Sequence, residues 1–404
     1  MPEADRDHLQ IELLSCEEKL ENAALDALVA TVNIQHKTKY LQMLMQHLDN
    51  PFKGYFAVAK RSGELVAWTY VFTDRHFAFH GVFSGTLGKL YKRFPLKFHT
   101  AFISSPVAEY NLIHIKDSYR DQENVIIDSM MDAVLEFLKR EGVKLVIVKD
   151  HLSPYTSQYF HEKFIHLHFM PGTFVDLEGI CTCNHLCEEA CHDGCVCFDA
   201  YLMGLKKKWR ANIRNKMNRR KHDLIVENIP ATSLSFEESI RCYDLYTQTR
   251  EKQRLKHERL SPGYFYECGK EFGDCCKMLI ARRGQTIIGF AQLLENEDDL
   301  INVRMGMDYA YNREYSLYYH LLYESMIYCV RKKKKRLYTS QTCYRPKIEV
   351  GAKLLPLHTY LYFKNPIFQK ILGGIIVKNC RCYSELIETD RPSEVLSKHN
   401  ICPY

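Results

Sequence analysis

Three side chains with complementary chemistry fall close together late in the chain. They are the amide of Gln341, the phenol of Tyr344 and the ammonium of Lys347, within "TSQTCYRPKIEVGAKLLPL" from Thr339. A phenol can donate to a developing oxyanion or relay a proton, and an ammonium can fix a phosphate or carboxylate. The run follows a strand predicted over 337–341, and open α/β sheets bind ligands at the carboxyl ends of their strands. The plainer alternative is a packed Tyr344 and a solvent-facing Lys347. Gly351 reads as a turn position needing positive φ.

A second concentration of chemistry is "CTCNHLCEEACHDGCVC", with Cys181, Cys183, Cys187, Cys191, Cys195 and Cys197 around His185 and His192. Thiolates at this density suit zinc in a reducing compartment. Six of them leave no open coordination position, so a structural ion is expected rather than a catalytic one. The spacing is not the paired CxxC of a zinc ribbon, and free thiols or local disulfides fit the same pattern. In "FHEKFIHLHF", His166 and His168 alternate onto one face of a strand, with His161 nearby. That pattern makes either a metal pair or a polar strand face. Asp150 and His151 close an earlier strand, as remnants of a duplicate site would.

The elements that must position these groups recur in order. "GYFAVAKRSGELVAWTYVF" is a hairpin turning at Ser62–Gly63, and "CKMLIARRGQTIIGFAQLL" is another turning near Gly284. A further strand, "DLINVRMGM", follows the second hairpin. "NVIIDSMMDAVLEFLKREG" places Ile127, Met130, Met131, Val134 and Leu138 at helical spacing and stops at Gly142, before the strand "VKLVIVKD". "SLYYHLLYESMIYCVRKKKKR" is a helix whose lysines suit its negative end, before the strand "LYTSQ". Hairpin, strand, helix, strand thus occurs twice, with an insertion in the first copy between about 82 and 122. The C-terminal aromatic run "HTYLYF" reads as core.

Between the copies, Leu205, Trp209, Ile213 and Met217 form an apolar helical stripe. Nine Lys or Arg between 206 and 221 fill the other faces. This helix either packs on a domain with a solvated basic face or meets a polyanion such as donor phosphates, a tRNA stem or an acidic carrier protein.

Composition bounds the rest. The 404 residues suggest two domains, 46% hydrophobic and 26% charged content excludes wholesale disorder, and the net charge of +6 does not by itself announce nucleic acid. No apolar run is long enough to span a bilayer, and the polar, acidic start does not read as a secretory signal, so a cytoplasmic protein is expected. The 16 cysteines fit reduced thiols plus one local cluster.

The block from Tyr201 to about Phe368, carried by "LKKKWRANIRNKMNRRK", "VRMGMDYAYNREYSLYYHLLYESMIYCV" and "QTCYRPKIEVGAKLLPL", resembles the FemAB-like branch of the GNAT acyltransferases. The resemblance implies an α/β fold (α+β mixed sheets) of two tandem GNAT-like domains, with a Cys-rich insertion and a basic helix between them. The expected boundaries are 1–178, 179–198, 199–222 and 223–404. It also implies acyl transfer from acyl-CoA or another activated donor to an amine of a small molecule or peptide.

By position, Arg304 and Asp308 would face a cleft, Gln341 would orient the acyl carbonyl, and Tyr344 and Lys347 would serve its oxyanion. Asn312, Arg313, Tyr315 and Ser316 would cradle the donor, with Ser316 as helix N-cap. The chain departs from the family's glycine-rich donor loop at Asn312–Tyr315. Arg313 can still pair with phosphate, and acyl-carrier and aminoacyl-tRNA donors stay open. The rivals are an aminoacyl-tRNA-dependent FemAB-type ligase, which usually carries a long helical arm not evident here, and a non-catalytic, metal-stapled adaptor.

Overall fold

A computed structural model describes residues 9–18, 22–29, 34–79, 91, 93, 95–108, 110–180, 196–218, 223–253, 258–399 and 401. It divides into two units: Met1–Met170 with Pro356–Glu388, and Pro171–Leu355 with Thr389–Tyr404. A single boundary between 178 and 223, as the sequence suggested, therefore does not separate them. The chain leaves the first unit near Met170 and re-enters it for one strand and one long helix.

The first unit holds β1 (Leu9–Ser15), β2 (Lys53–Arg61), β3 (Glu64–Phe77), β4 (Phe98–Ile103), β5 (His114–Ile115), β6 (Leu145–His151) and β7 (Ile165–His168). The second holds β8 (Gly172–Asp176), β9 (Leu224–Pro230), β10 (Cys276–Arg283), β11 (Thr286–Glu295), β12 (Asp299–Met307), β13 (Arg336–Tyr338) and β14 (Lys353–Leu355). The run read as "HTYLYF" is β15 (His358–Phe363), inserted between β6 and β7 in the first sheet.

The sheet orders are β1-β2-β3-β4-β6-β15-β7, with β5 beside β3, and β14-β8-β13-β12-β11-β10-β9. Each sheet is antiparallel except for one parallel pair, β4 with β6 and β12 with β13. A parallel pair needs a crossover, and a helix supplies it each time: Glu123–Arg140 in the first unit, Leu317–Arg331 in the second. The architectural repeat expected from sequence is thus present in the backbone.

Local signals explain the elements. Ser62 and Gly63 both have positive φ, 49° and 82°, as a tight two-residue hairpin turn requires. Glu123–Arg140 buries Ile126, Ile127, Met130, Met131, Val134 and Leu138 on one stripe against the sheet. The opposite sheet face carries Trp68, Phe72 and Phe102 with Ile376 and Cys380 from the Pro366–Glu388 helix. In the second unit, Leu317–Arg331 is buried on nearly every side. The Phe236–Lys252 helix begins with a reciprocal cap in which Ser235 and Glu238 exchange hydrogen bonds of 3.1 and 3.0 Å. A Cβ on Gly306 would lie 2.7 Å from the Tyr246 backbone nitrogen, so this position in β12 needs glycine for that helix to approach. Among the described residues, no helix is long and apolar enough to cross a membrane.

Candidate functional site

The parallel pair of the second unit opens into a fork. β12 and β13 pair only from Asp299–Arg336 to Ile301–Tyr338. β12 then continues to Met307 beside β11, while the other chain turns away at Thr339. The Ser340 hydroxyl donates to the Asn302 carbonyl at 2.9 Å where the two part. Opposite, a bulge in the β11–β12 pairing lies between Gln292 and Leu293, the kind of irregularity that re-aims side chains beside sites.

The chain leaving the fork is strained. Ser340, Thr342 and Cys343 have φ of 64°, 63° and 47°, conformations that residues with a Cβ adopt at an energetic cost. Hydrogen bonds hold them there. Thr339 N donates to the Thr173 carbonyl at 2.8 Å, and the Thr173 hydroxyl donates to the Ser340 carbonyl at 2.5 Å. Lys347 Nζ donates to the carbonyls of Ser340 and Gln341, both at 2.9 Å.

The predicted site residues take places that revise several expectations. β13 ends at Tyr338, and Tyr344 and Lys347 lie in a short helix, Tyr344–Glu349. Both are buried, at 1% and 4% exposure, and Tyr344 donates to the Pro171 carbonyl at 2.9 Å. Gln341 is half-buried on the strained segment.

Arg304 does not face a cleft. It is buried against the Tyr264 hydroxyl at 2.9 Å, Glu258 at 3.3 Å and Gln292 at 3.4 Å, because carboxylate and hydroxyl partners there compensate its desolvation. Asp308 caps a helix, accepting from Ala310 N at 3.1 Å and pairing with Arg241 at 3.1 Å. That helix, Tyr309–Tyr315, replaces the expected donor loop. Asn312 accepts from Tyr318 N at 3.3 Å, Tyr315 is buried with its hydroxyl on Asp223 at 2.8 Å, and Arg313 is exposed. Ser316 is the N-cap of the next helix, as expected, but in a left-handed conformation and without a side-chain capping bond. Gly351 has φ of 88°, as expected.

Cys181, Cys183, Cys187, Cys191 and Cys195 lie outside the described residues. Cys197 is described. It is buried in a core with Phe198, Leu202 and Leu177. The basic segment forms the helices Val196–Met203 and Lys207–Asn218. Ile213 is buried and Leu205 and Met217 pack on the same core, while Lys206, Lys207, Lys208 and Arg214 are exposed.

The first unit has a fork of its own, which the sequence reading did not develop. β4 and β6 pair through Ile103–Val148. His151, at the end of β6, donates through Nε2 to the Ile103 carbonyl at 3.1 Å and accepts from the Tyr155 hydroxyl through Nδ1. Asp150 before it has φ of 55° and pairs with Lys149 at 2.6 Å. Beside this fork is a cleft of about 310 Å³, lined by His114, Arg120, Asp121, Glu123, Asn124 and Tyr155 among others.

Burial holds His36, His114 and His151 neutral. His36 and His151 are pushed down to about 4 by desolvation, and His114 is well below its usual value through burial and the nearby charges of His36, His151 and Arg120. Burial raises the Tyr155 hydroxyl well above its usual range. Asp121 and Glu123 line the cleft together with Arg120, which pairs with Asp117 at 3.4 Å, so carboxylates outnumber the cation at its rim. The acid-rich "KDSYRDQEN" was the available sequence signal for it.

Two sheets, each antiparallel but for one forked parallel pair bridged by a helix, make a tandem GNAT fold. The chain belongs to the FemAB-like family, described as peptidoglycan biosynthesis/recognition, which matches residues 18–381. Among solved structures it is similar to FemX, with a TM-score of 0.53 and 10% identity over 89% of this chain and 99% of that one. A tandem GNAT protein from the clavulanic acid biosynthesis pathway gives 0.46 at 11% identity over 88% and 99%. A GCN5-related N-acetyltransferase from Kribbella flavida gives 0.40 at 12% over 88% and 71%. No curated protein matches the chain.

Proposed function

We propose that the chain transfers an activated acyl group to the amine of a small molecule or peptide in the cytoplasm. In this reading the second unit's fork carries the reaction, and the first unit's cleft serves as a platform that recognises the acceptor. The observation that carries it is the anionic rim of Asp121 and Glu123 on a cleft beside a GNAT-type fork. An ammonium is attracted there and a phosphate is repelled. A peptide amine accords with the family's description as peptidoglycan biosynthesis/recognition.

The chemistry requires alignment more than covalent participation. The amine nitrogen forms a bond to the carbonyl carbon, and the carbonyl π electrons move to oxygen. The tetrahedral oxyanion collapses, breaking the bond to the thiolate or ribose oxygen that leaves, and the amine proton passes to solvent water. Gln341 orients the carbonyl, and Lys347 acts as a positioning residue through the carbonyls of Ser340 and Gln341.

The donor reading has two arms. A thioester on coenzyme A or a carrier protein is the first. The second is an aminoacyl-tRNA ester, favoured by a specific observation: a helix capped by the Asp308 carboxylate stands in place of the expected donor loop, and that carboxylate repels a pyrophosphate. The exposed Lys206, Lys207, Lys208 and Arg214 supply a phosphate-binding face for either a tRNA or a phosphopantetheine carrier.

The test is steady-state transfer with the Asp121→Asn, Glu123→Gln double variant. Its KM for the amine should rise about tenfold, the equivalent of roughly 1.4 kcal/mol, with the donor KM unchanged. An unchanged amine KM removes the cleft from the reaction.

A further inference from the structure

β7 is the edge strand of the first sheet, and its neighbour β15 reaches it from almost two hundred residues further along the chain. The register places His168 directly opposite His358 and His166 opposite Tyr360. Residues two apart on a strand share a face, and so do directly opposed residues, so three imidazoles converge on one side of the β7–β15 ladder. Their ring centroids are 5.2 Å apart for His166–His168, 5.2 Å for His166–His358 and 5.0 Å for His168–His358. One ring nitrogen from each lies within 4.8 Å of the other two.

A tetrahedral ion with nitrogen ligands at about 2.0–2.1 Å needs neighbouring ligand atoms about 3.3 Å apart. His166 Nε2 and His358 Nδ1 are already 3.0 Å apart. The third ring closes by a side-chain rotation, which its surroundings permit: His166 is exposed and the other two are half-buried. His168 Nδ1 faces the Leu357 carbonyl at 3.1 Å. That bond takes the N–H of the ring and leaves the Nε2 lone pair for a metal, the outer-sphere arrangement that orients ligating histidines. Tyr360 stacks on His166 at 4.8 Å and limits the ring's rotation. A row of imidazoles with no carboxylate among them selects zinc, copper, nickel or cobalt over magnesium or calcium.

We propose that His166, His168 and His358 bind one divalent ion of the zinc class through three imidazole nitrogens, with the fourth position left to water. The ion ties the edge strand to β15 and so links the returning C-terminal segment to the sheet it re-enters. This site is separate from the cysteine run and from the cleft and fork invoked for transfer.

The test uses the full chain, stripped with a chelator and titrated with Co²⁺ and then Zn²⁺. One equivalent of Co²⁺ should bind with the visible absorption of a tetrahedral nitrogen site, lack a thiolate charge-transfer band, and be displaced by Zn²⁺. Binding should weaken at least about tenfold in His168→Ala and His358→Ala. His166→Gln, at the exposed ring and thus the safest for folding, should lose the Zn²⁺-dependent rise in melting temperature. The equivalent should survive replacement of Cys181, Cys183, Cys187, Cys191 and Cys195 by serine. An ion that follows the cysteines, or one bound equally well by wild type and His166→Gln, overturns the proposal. Absence of binding at micromolar metal does so as well.

Discussion

The ammonium of Lys347 lies 2.9 Å from the carbonyl oxygen of Ser340, the residue whose hydroxyl marks the fork between β12 and β13. A buried lysine is thereby committed to main-chain acceptors on a strained segment, so its influence on chemistry runs through the backbone it fixes. Lys347→Met should destabilise the chain by about 2–3 kcal/mol, since it removes hydrogen bonds from a charged donor to buried carbonyls. Denaturant titration measures this, and Lys347→Arg should recover part of it. A loss under 0.5 kcal/mol, on the scale of an ordinary surface substitution, would show that the segment holds its shape unaided.

The Asp308–Arg241 pair makes a prediction about the donor. Asp308→Ala removes a helix cap and should cost about 1 kcal/mol of stability. It also removes negative charge from the helix start and leaves Arg241 without this partner, so coenzyme A should bind more tightly than to wild type. Calorimetry decides it, and equal or weaker binding contradicts the repulsion assigned to the carboxylate.

Much of this architecture is legible in the sequence because its signals are local. Ser62–Gly63 announces a turn, and Gly142, with φ of 78°, stops a helix where its lysines and arginines already suggest an end. The return of "HTYLYF" to the first sheet is not legible, since an aromatic strand is equally at home in either core and its pairing with β6 and β7 is non-local. For the same reason His358 is not read with His166 and His168. Arg304 misleads differently: a charged residue on a strand suggests a cleft, but Glu258 and Tyr264, from a distant stretch, bury it. Gly306 carried a usable sign, because glycine inside a strand often marks the close approach of another backbone.

Acid should weaken the fold over a defined window. His36 and His151, ordinarily near 6.5, are held neutral down to about 4. The unfolded chain therefore takes up protons between these values that the folded chain refuses, and stability falls as pH drops from 6.5 to 4. Each contributes a slope of about 1.4 kcal/mol per pH unit at most. Urea unfolding across this range should show the slope, and His36→Gln should reduce it. A flat profile would mean that these rings are not buried neutral.

Gly306→Ala should be poorly tolerated. The added Cβ would meet Phe290 at 2.2 Å and backbone atoms of Leu245 and Tyr246 at 2.8 and 2.7 Å, and the backbone cannot yield as a side chain can. Overpacking of this kind costs about 1–3 kcal/mol, read as a lower melting temperature. An unchanged midpoint would contradict the close helix contact.

The most direct test follows a labelled acyl group from acetyl-CoA, a long-chain acyl-CoA, an acylated carrier protein or an aminoacyl-tRNA onto a peptide amine, with the product identified by mass spectrometry. An amide should form from at least one donor, and its rate at low amine concentration should fall in the Asp121→Asn, Glu123→Gln variant. If no donor yields an amide with a broad amine panel, and none shifts the melting temperature, the transferase account is wrong and the chain is a non-catalytic relative on the same fold.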